Sequence, residues 1–173
     1  LVEKLKDKHK ETRLRAAKAL GDLGTPAKAA ITDLMECLRD KDSEVQSQAM
    51  RALAQIGPSA APALRTALTD EQVRVRMLAA EALGMLAPDV KEAVTALLEA
   101  AKDKHAAVRV VALKGLLAVE GDRSEVETAF QEAAKDPNPY LSLLGNMGVD
   151  QIKKADGKGP RAPINFVPVL AVQ

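Results

Sequence analysis

Leucines and alanines recur along this chain three and four residues apart, in short blocks divided by polar turns and prolines. That spacing places the apolar side chains on one face of a helix. The blocks themselves repeat. Five aspartates, Asp7, Asp40, Asp70, Asp103 and Asp136, stand 33, 30, 33 and 33 residues apart, and the text around each is similar. Six residues before the aspartate come Leu1, Leu34, Leu64, Leu97 and Phe130, and two before it Leu5, Leu38, Leu68, Ala101 and Ala134. These columns predict a first helix, A. Offsets 5, 9, 13 and 16 after the aspartate trace a stripe on a second helix, B: Val75, Ala79, Leu83 and Leu86 in the third unit, with Thr12, Gly145, Val149 and Leu23 among the occupants elsewhere. The small residues at offset 9 would let a neighbouring helix approach closely.

The breaks fit this reading. Polar turns such as Asp40-Lys-Asp-Ser-Glu join A to B, with Asp42 or Ser43 suited to capping helix B. Gly24, Gly57 and Gly121 can end helix B, and Pro26, Pro58 and Pro88 prevent its continuation. One hairpin of this kind cannot bury its own apolar stripes, whereas a stack of them can. The sequence therefore predicts an all-α chain of about five helical hairpins.

Asp70, Val75-Arg76, Ala79-Ala80, Ala82-Leu83-Gly84 and Leu86 form a pattern that resembles the HEAT-like repeat family, in particular its short bacterial, phycobilisome-lyase-like form. Arg13, Ala16-Ala17 and Ala19-Leu20-Gly21 repeat it, as do Val108-Arg109 and Ala112. The resemblance covers roughly residues 1–152. It implies an α-α superhelix, a right-handed solenoid with A helices outside and B helices lining a concave face. It also implies that the arginine after the valine pairs with an aspartate of a neighbouring unit, which would make Arg76 and Arg109 structural.

The terminal units depart from the pattern. The first has only Leu1–Lys6 for helix A, and the array is expected to continue upstream, with further repeats or another domain. The fifth reads as degenerate: Pro137 and Pro139 open its helix B, and Gly145 and Gly148 weaken it by roughly 1 kcal/mol each. Residues 1–152 are read as the solenoid and 153–173 as a linker, Lys153–Arg161, followed by an extended apolar tail broken by Pro163 and Pro168. That tail is either a frayed end or a strap that packs on the solenoid or on a neighbouring chain.

Composition narrows the function classes. Apolar residues make up 47% of the 173 and aromatics 2%, so the core must be built mainly from Ala and Leu. A formal net charge of +1 excludes a uniformly basic nucleic-acid binder but not a local patch. Its distribution is uneven. The B segments carry Lys10, Arg13, Arg15, Lys18, Arg51, Arg74, Arg76, Arg109 and Lys114 against Glu11, Asp22, Glu44 and Glu81. The A segments carry six cations against nine carboxylates. A B-lined concave face would then be basic and the outside acidic. At offset 11, Lys18, Arg51, Glu81 and Lys114 form a column that should project from helix B. The fourth B helix, with Val108, Val110, Val111, Leu113 and Leu116, leaves little polar face, and Met77, Leu78 and Met85 extend the apolar surplus into the third unit. Flanking helices, the tail or a partner could cover it.

Chemistry-bearing residues are sparse. His9 and His105, the two histidines, fall two residues after a repeat aspartate, where other units have Asp42, Gln72 and Asn138. They read as solvated turn residues, three repeats apart, and a dinuclear metal site is not expected. Cys37 occupies a column otherwise held by Ala67, Ala100 and Ala133, and reads as an inert buried thiol. A single cysteine permits no internal disulfide. No serine or threonine has a histidine placed to serve as base, and the glycines lack phosphate-binding spacing and read as helix ends. No membrane span is expected, since no apolar run reaches ~18 residues.

The expectation is a non-catalytic protein-binding scaffold, with no cofactor or metal, that holds a protein or peptide on its concave face. The candidate contact residues are Arg15, Lys18, Arg51, Met77, Leu78, Glu81, Val111 and Lys114. The alternatives are nucleic-acid binding through a basic concave face, or an accessory role beside a lyase-type enzyme.

Overall fold

The computed structural model describes residues 1–120 and 123–156. Nine α-helices lie within them: α1 (Lys10–Leu23), α2 (Ile31–Cys37), α3 (Ser43–Ile56), α4 (Ala61–Ala67), α5 (Val73–Leu86), α6 (Lys91–Ala100), α7 (Ala106–Leu116), α8 (Ser124–Ala133) and α9 (Pro139–Asp156). The odd-numbered helices are the B helices and the even-numbered ones the A helices. In the first unit a 3-10 turn, Val2–Lys6, stands where helix A is expected. Two further 3-10 segments, Thr25–Ala30 and Pro58–Ala60, lead into α2 and α4. Pro26 and Pro58 sit in their opening turns, where the missing N–H costs nothing. Each B helix packs on the next, and each A helix on its own B helix, which gives a two-layer stack.

The core follows the predicted columns. Val45, Ala49, Leu53 and Ile56 of α3 are fully buried, as are Val108 and Ala112 of α7. At the edges the stripe breaks down: Leu23 is 52% exposed, and Thr12 and Val149 are half-buried. Leu23 closes α1, and no B helix precedes α1 among the described residues to cover it.

Helix ends confirm two of the three glycines assigned to them. Gly24 and Gly57 have φ of 64° and 90°, a region that a side chain disfavours. Gly121 lies outside the described residues. Glycines inside the helices do something else. A Cβ on Gly84 would stand 3.0 Å from Gly115 Cα, so the Gly84–Gly115 pair sets how closely α5 and α7 approach. This crossing lies at offsets 12 and 14; at offset 9, Ala16, Ala49, Ala79 and Ala112 are buried, and Gly145 lies against Ala134 of α8. Where the same two positions hold Ala54 and Ala82, α3 and α5 touch less extensively.

The fifth unit keeps a full second helix despite its departures in sequence. Its B helix, α9, is the longest described and runs through Lys153–Asp156, so the expected linker begins as helix. Gly145 and Gly148 are required rather than weak. A Cβ there would come within 2.2 Å of Ala134 N or of the Phe130 ring. α9 also has the character of a closing helix. At offset 10, Ala17, Met50, Ala80 and Leu113 are buried, whereas Asn146 is exposed; at offset 14, Gly21, Ala54, Gly84 and Leu117 give way to exposed Asp150. A polar outer face is what a capping repeat needs. The expected extended tail lies outside the described residues.

Candidate protein-binding surface

The aspartate ladder accounts for much of the charge on the B helices. In each unit the aspartate Oδ1 accepts the N–H of the residue two positions on, namely His9, Asp42, Gln72, His105 and Asn138, and thereby fixes the turn into helix B. Both histidines are exposed N-cap residues. Asp42, one of the two caps expected, accepts Glu44 N–H at 3.0 Å.

The other side of the carboxylate faces the preceding unit. Arg13 donates Nε and Nη2 to Asp40 at 2.6 and 2.8 Å, and Arg76 donates the same pair to Asp103 at 2.8 and 3.1 Å. Each also donates Nη1 to the carbonyl of its own aspartate, Asp7 or Asp70, and so ties two turns together. Arg13 and Arg76 are 5% and 4% exposed, the only charged residues buried to that degree among those described. Burial alone would raise the Asp40 and Asp103 pKa. The guanidinium beside each, with the N–H of Asp42 or His105, outweighs burial and holds the carboxyl below its ordinary value. Arg109 makes a looser rung. Its Nη2 reaches Asp136 at 2.9 Å, while its buried Nε has no partner.

One rung is built differently. The second unit has Gln46 where the first, third and fourth have arginine, and Gln46 Nε2 donates only to Asp40 O, at 2.7 Å. Asp70 is instead paired with Arg39, which precedes Asp40 and is half exposed. The ladder pairing of Arg76 and Arg109 is thus confirmed, and Arg13 and Arg39 are the members that the sequence reading did not assign.

These pairings reduce the supposed basic face. Arg13, Arg76 and Arg109 are consumed inside the stack. Lys10 pairs with Asp42 and Glu44, and Lys18 with Asp22. Arg74 reaches only Gln46 and Ser47, at 3.4 and 3.5 Å.

The proposed contact residues separate accordingly. Lys18, Arg51, Glu81 and Lys114 are all exposed, so the offset-11 column does project from the B helices. Leu78 is a correction. It is 1% exposed and buried within the stack, so it cannot meet a partner. Its column, offset 8, turns toward the preceding unit, one helical turn from the side on which Gly115 meets Gly84. Arg15 occupies the same column and is exposed on α1, at the end of the described stack, three residues from Lys18 and so beside it on the helix. Val111 and Met77 are half-buried against the core. The apolar surplus of α7 is largely absorbed by its neighbours: Val108, Leu113 and Leu116 are buried, and Val110 and Leu117 are half-buried.

Sequence reasoning named Met85 among the apolar surplus but missed the rest of the apolar part of the ridge. Met85 is 55% exposed, Tyr140 41%, Leu143 58% and Met147 52%. Met147 shares offset 11 with Lys18, Arg51, Glu81 and Lys114, so the column itself held the signal. Lys114 Nζ lies 5.5 Å from the Tyr140 ring centroid, a cation–π contact that links α7 to α9 across the ridge.

Cys37 is buried, and burial pushes its thiol up to about 11, so it stays protonated near neutrality. A shallow cavity of about 440 Å3 beside it is lined by Lys6, Asp33, Glu36 and other charged groups. Lys6 is salt-bridged to Asp33 and Glu36 across that cavity. Among the described residues, no three His, Cys, Asp or Glu side chains converge to hold a metal ion, and no helix is long and apolar enough to cross a membrane.

The family model for HEAT repeats matches residues 31–117, and the model for the PBS lyase HEAT-like repeat matches residues 12–40. The chain is a HEAT-repeat protein. Solved structures agree with the HEAT architecture. A chain from the complex of CpcE and CpcF of phycocyanin lyase from Nostoc sp. PCC7120 aligns at TM-score 0.63 and 24% identity, over 85% of this chain and 94% of that one. A designed armadillo repeat protein in complex with the peptide (KR)4 aligns at 0.56 and 18% identity, over 86% and 79%. The archaeal HEAT-like repeats protein from Thermococcus onnurineus NA1 aligns at 0.50 and 18% identity, over 94% and 72%. At these identities the likeness is one of fold. No curated protein sequence matches significantly.

Proposed function

We propose that this HEAT stack is a non-catalytic scaffold that holds a protein or peptide along the exposed ridge of its B helices, on the concave side of the superhelix. The observation that carries the reading is the offset-11 column: Lys18, Arg51, Glu81, Lys114 and Met147 project to solvent from five successive B helices. Neighbouring helix axes lie about 8–10 Å apart, so the column spans several residues of an extended ligand. A helices touch one another less than B helices do, as expected if the B layer is the inner one of a curved stack. Among solved structures of like fold, one holds a peptide and another is a two-protein complex.

The basic-face reading for nucleic acid loses its main support, because the ladder and local ion pairs consume most of the B-helix cations. An accessory role beside a lyase-type enzyme has the PBS lyase HEAT-like repeat match over residues 12–40 and the shared fold behind it, and neither carries an activity over to this chain.

The test uses the full chain as bait to purify a partner and then measures that partner's affinity for a ridge variant, Arg51→Ala with Met85→Ser and Lys114→Ala. The expected result is at least a tenfold loss of affinity with an unchanged melting temperature. Undiminished binding would remove the ridge from consideration.

A further inference from the structure

The C-terminal end of the ridge has its own chemistry. Tyr140, Leu143 and Met147 follow one another at i, i+3 and i+7 on α9, all strongly exposed, and Lys154 continues the same face. From Tyr140 to Lys154 is fourteen residues, about 21 Å along a helix. Lys114 stands at the Tyr140 end, held over the ring, and Lys154 at the other. The patch is thus an apolar strip with a cation at each end. Asp150, at its edge, is the one carboxylate on that side of α9, and the acidic residues Glu125, Glu127 and Glu132 of the same unit lie on α8.

We propose that this strip docks an amphipathic helix of a partner protein, about four turns long, with apolar residues at i, i+3 or i+4 and i+7 and carboxylates at both ends. The proposal rests on the scaffold reading and names the partner's chemistry for one part of the ridge. A helix laid along the strip buries the three large side chains that α9 leaves in water. Its terminal carboxylates meet Lys114 and Lys154. Charge argues against the two other occupants. A second copy in two-fold contact would bring a lysine-bounded strip onto its own like. Residues 157–173 contain Lys158 and Arg161 and no Asp or Glu, so they bring two more cations and no carboxylate side chain to either lysine.

The experiment is fluorescence anisotropy on the full chain, with a labelled synthetic 16-residue helical peptide that carries leucines at that spacing and glutamates at both ends. The control peptide has lysines in place of the glutamates. The acidic peptide should bind at least tenfold more tightly than the lysine form. The Leu143→Ser/Met147→Ser variant should lose at least tenfold in affinity while melting like the parent chain, and Lys154→Glu should narrow the difference between the two peptides. The proposal is overturned by equal affinity for both peptides, by no binding of the acidic one, by displacement with a peptide of residues 157–173, or by self-association of the chain that L143S abolishes. If the acidic peptide fails while a purified partner still depends on Arg51, Met85 and Lys114, this inference falls and the scaffold reading stands.

Discussion

The first two B helices and the last two use the same columns for different purposes. On α1 and α3 the ridge is charged, with Lys18 and Arg51 at offset 11, and the rung below it is tight, with buried Arg13 forked onto Asp40. On α7 and α9 the ridge becomes apolar, with Tyr140, Leu143 and Met147 beside Lys114, and the rung is loose, with a single Arg109–Asp136 bond. The repeat therefore sets where a side chain points, and the unit sets what it offers. Conformity to the consensus marks residues committed to the stack, such as Arg76. Departure from it marks either a repair, such as Arg39 replacing the arginine that Gln46 lacks, or surface left free for a partner.

Substitutions along the ladder should rank by burial of the arginine left behind. Asp103→Ala strands Arg76 in the interior and should cost about 3–5 kcal/mol in denaturant unfolding. Asp136→Ala, at the looser rung, should cost less, and equality of the two would erase the contrast between the halves. Gly148→Leu forces a side chain into Phe130 and should cost about 1–3 kcal/mol, with the melting temperature as readout. Arg39→Ala breaks a half-exposed pair and should cost about 1 kcal/mol or less. Arg51→Ala and Leu143→Ser should stay within about 0.5 kcal/mol of the parent.

The ladder also gives a pH dependence. Asp40 and Asp103 have folded-state pKa values below the ordinary 3.8, so their contribution is present above that pH and is lost as the pH falls through the lower folded value. The stability gap between the parent chain and Asp103→Ala should be constant near neutrality and shrink below about pH 3.8. A gap that persists unchanged at pH 2 would mean that the charge on Asp103 is irrelevant.

The two-helix unit, its period and most of the core were legible because burial repeats with the sequence, and five copies of Leu or Ala in one column leave little choice of face. The ladder roles of Arg76 and Arg109 were legible through the family resemblance, not from the columns alone. What counting could not supply was relation between columns. Leu78 and Met77 are adjacent in sequence and both apolar, yet a 100° step along the helix buries one fully and leaves the other half-buried. Gly145 and Gly148 resemble helix breakers until Phe130 and Ala134 of α8 are placed against them. Arg39 sits outside its column, so only the fold shows that it reaches Asp70.

Oxidative footprinting of the full chain, free and with its purified partner, tests the central claim directly, because methionine and tyrosine report exposure at the ridge itself. Met85, Tyr140 and Met147 should be protected on binding, while Met35, on α2 in the A layer, should oxidise at its free rate. Protection of Met35 with unchanged oxidation of the three ridge residues would place the partner on the opposite side of the stack and contradict the account.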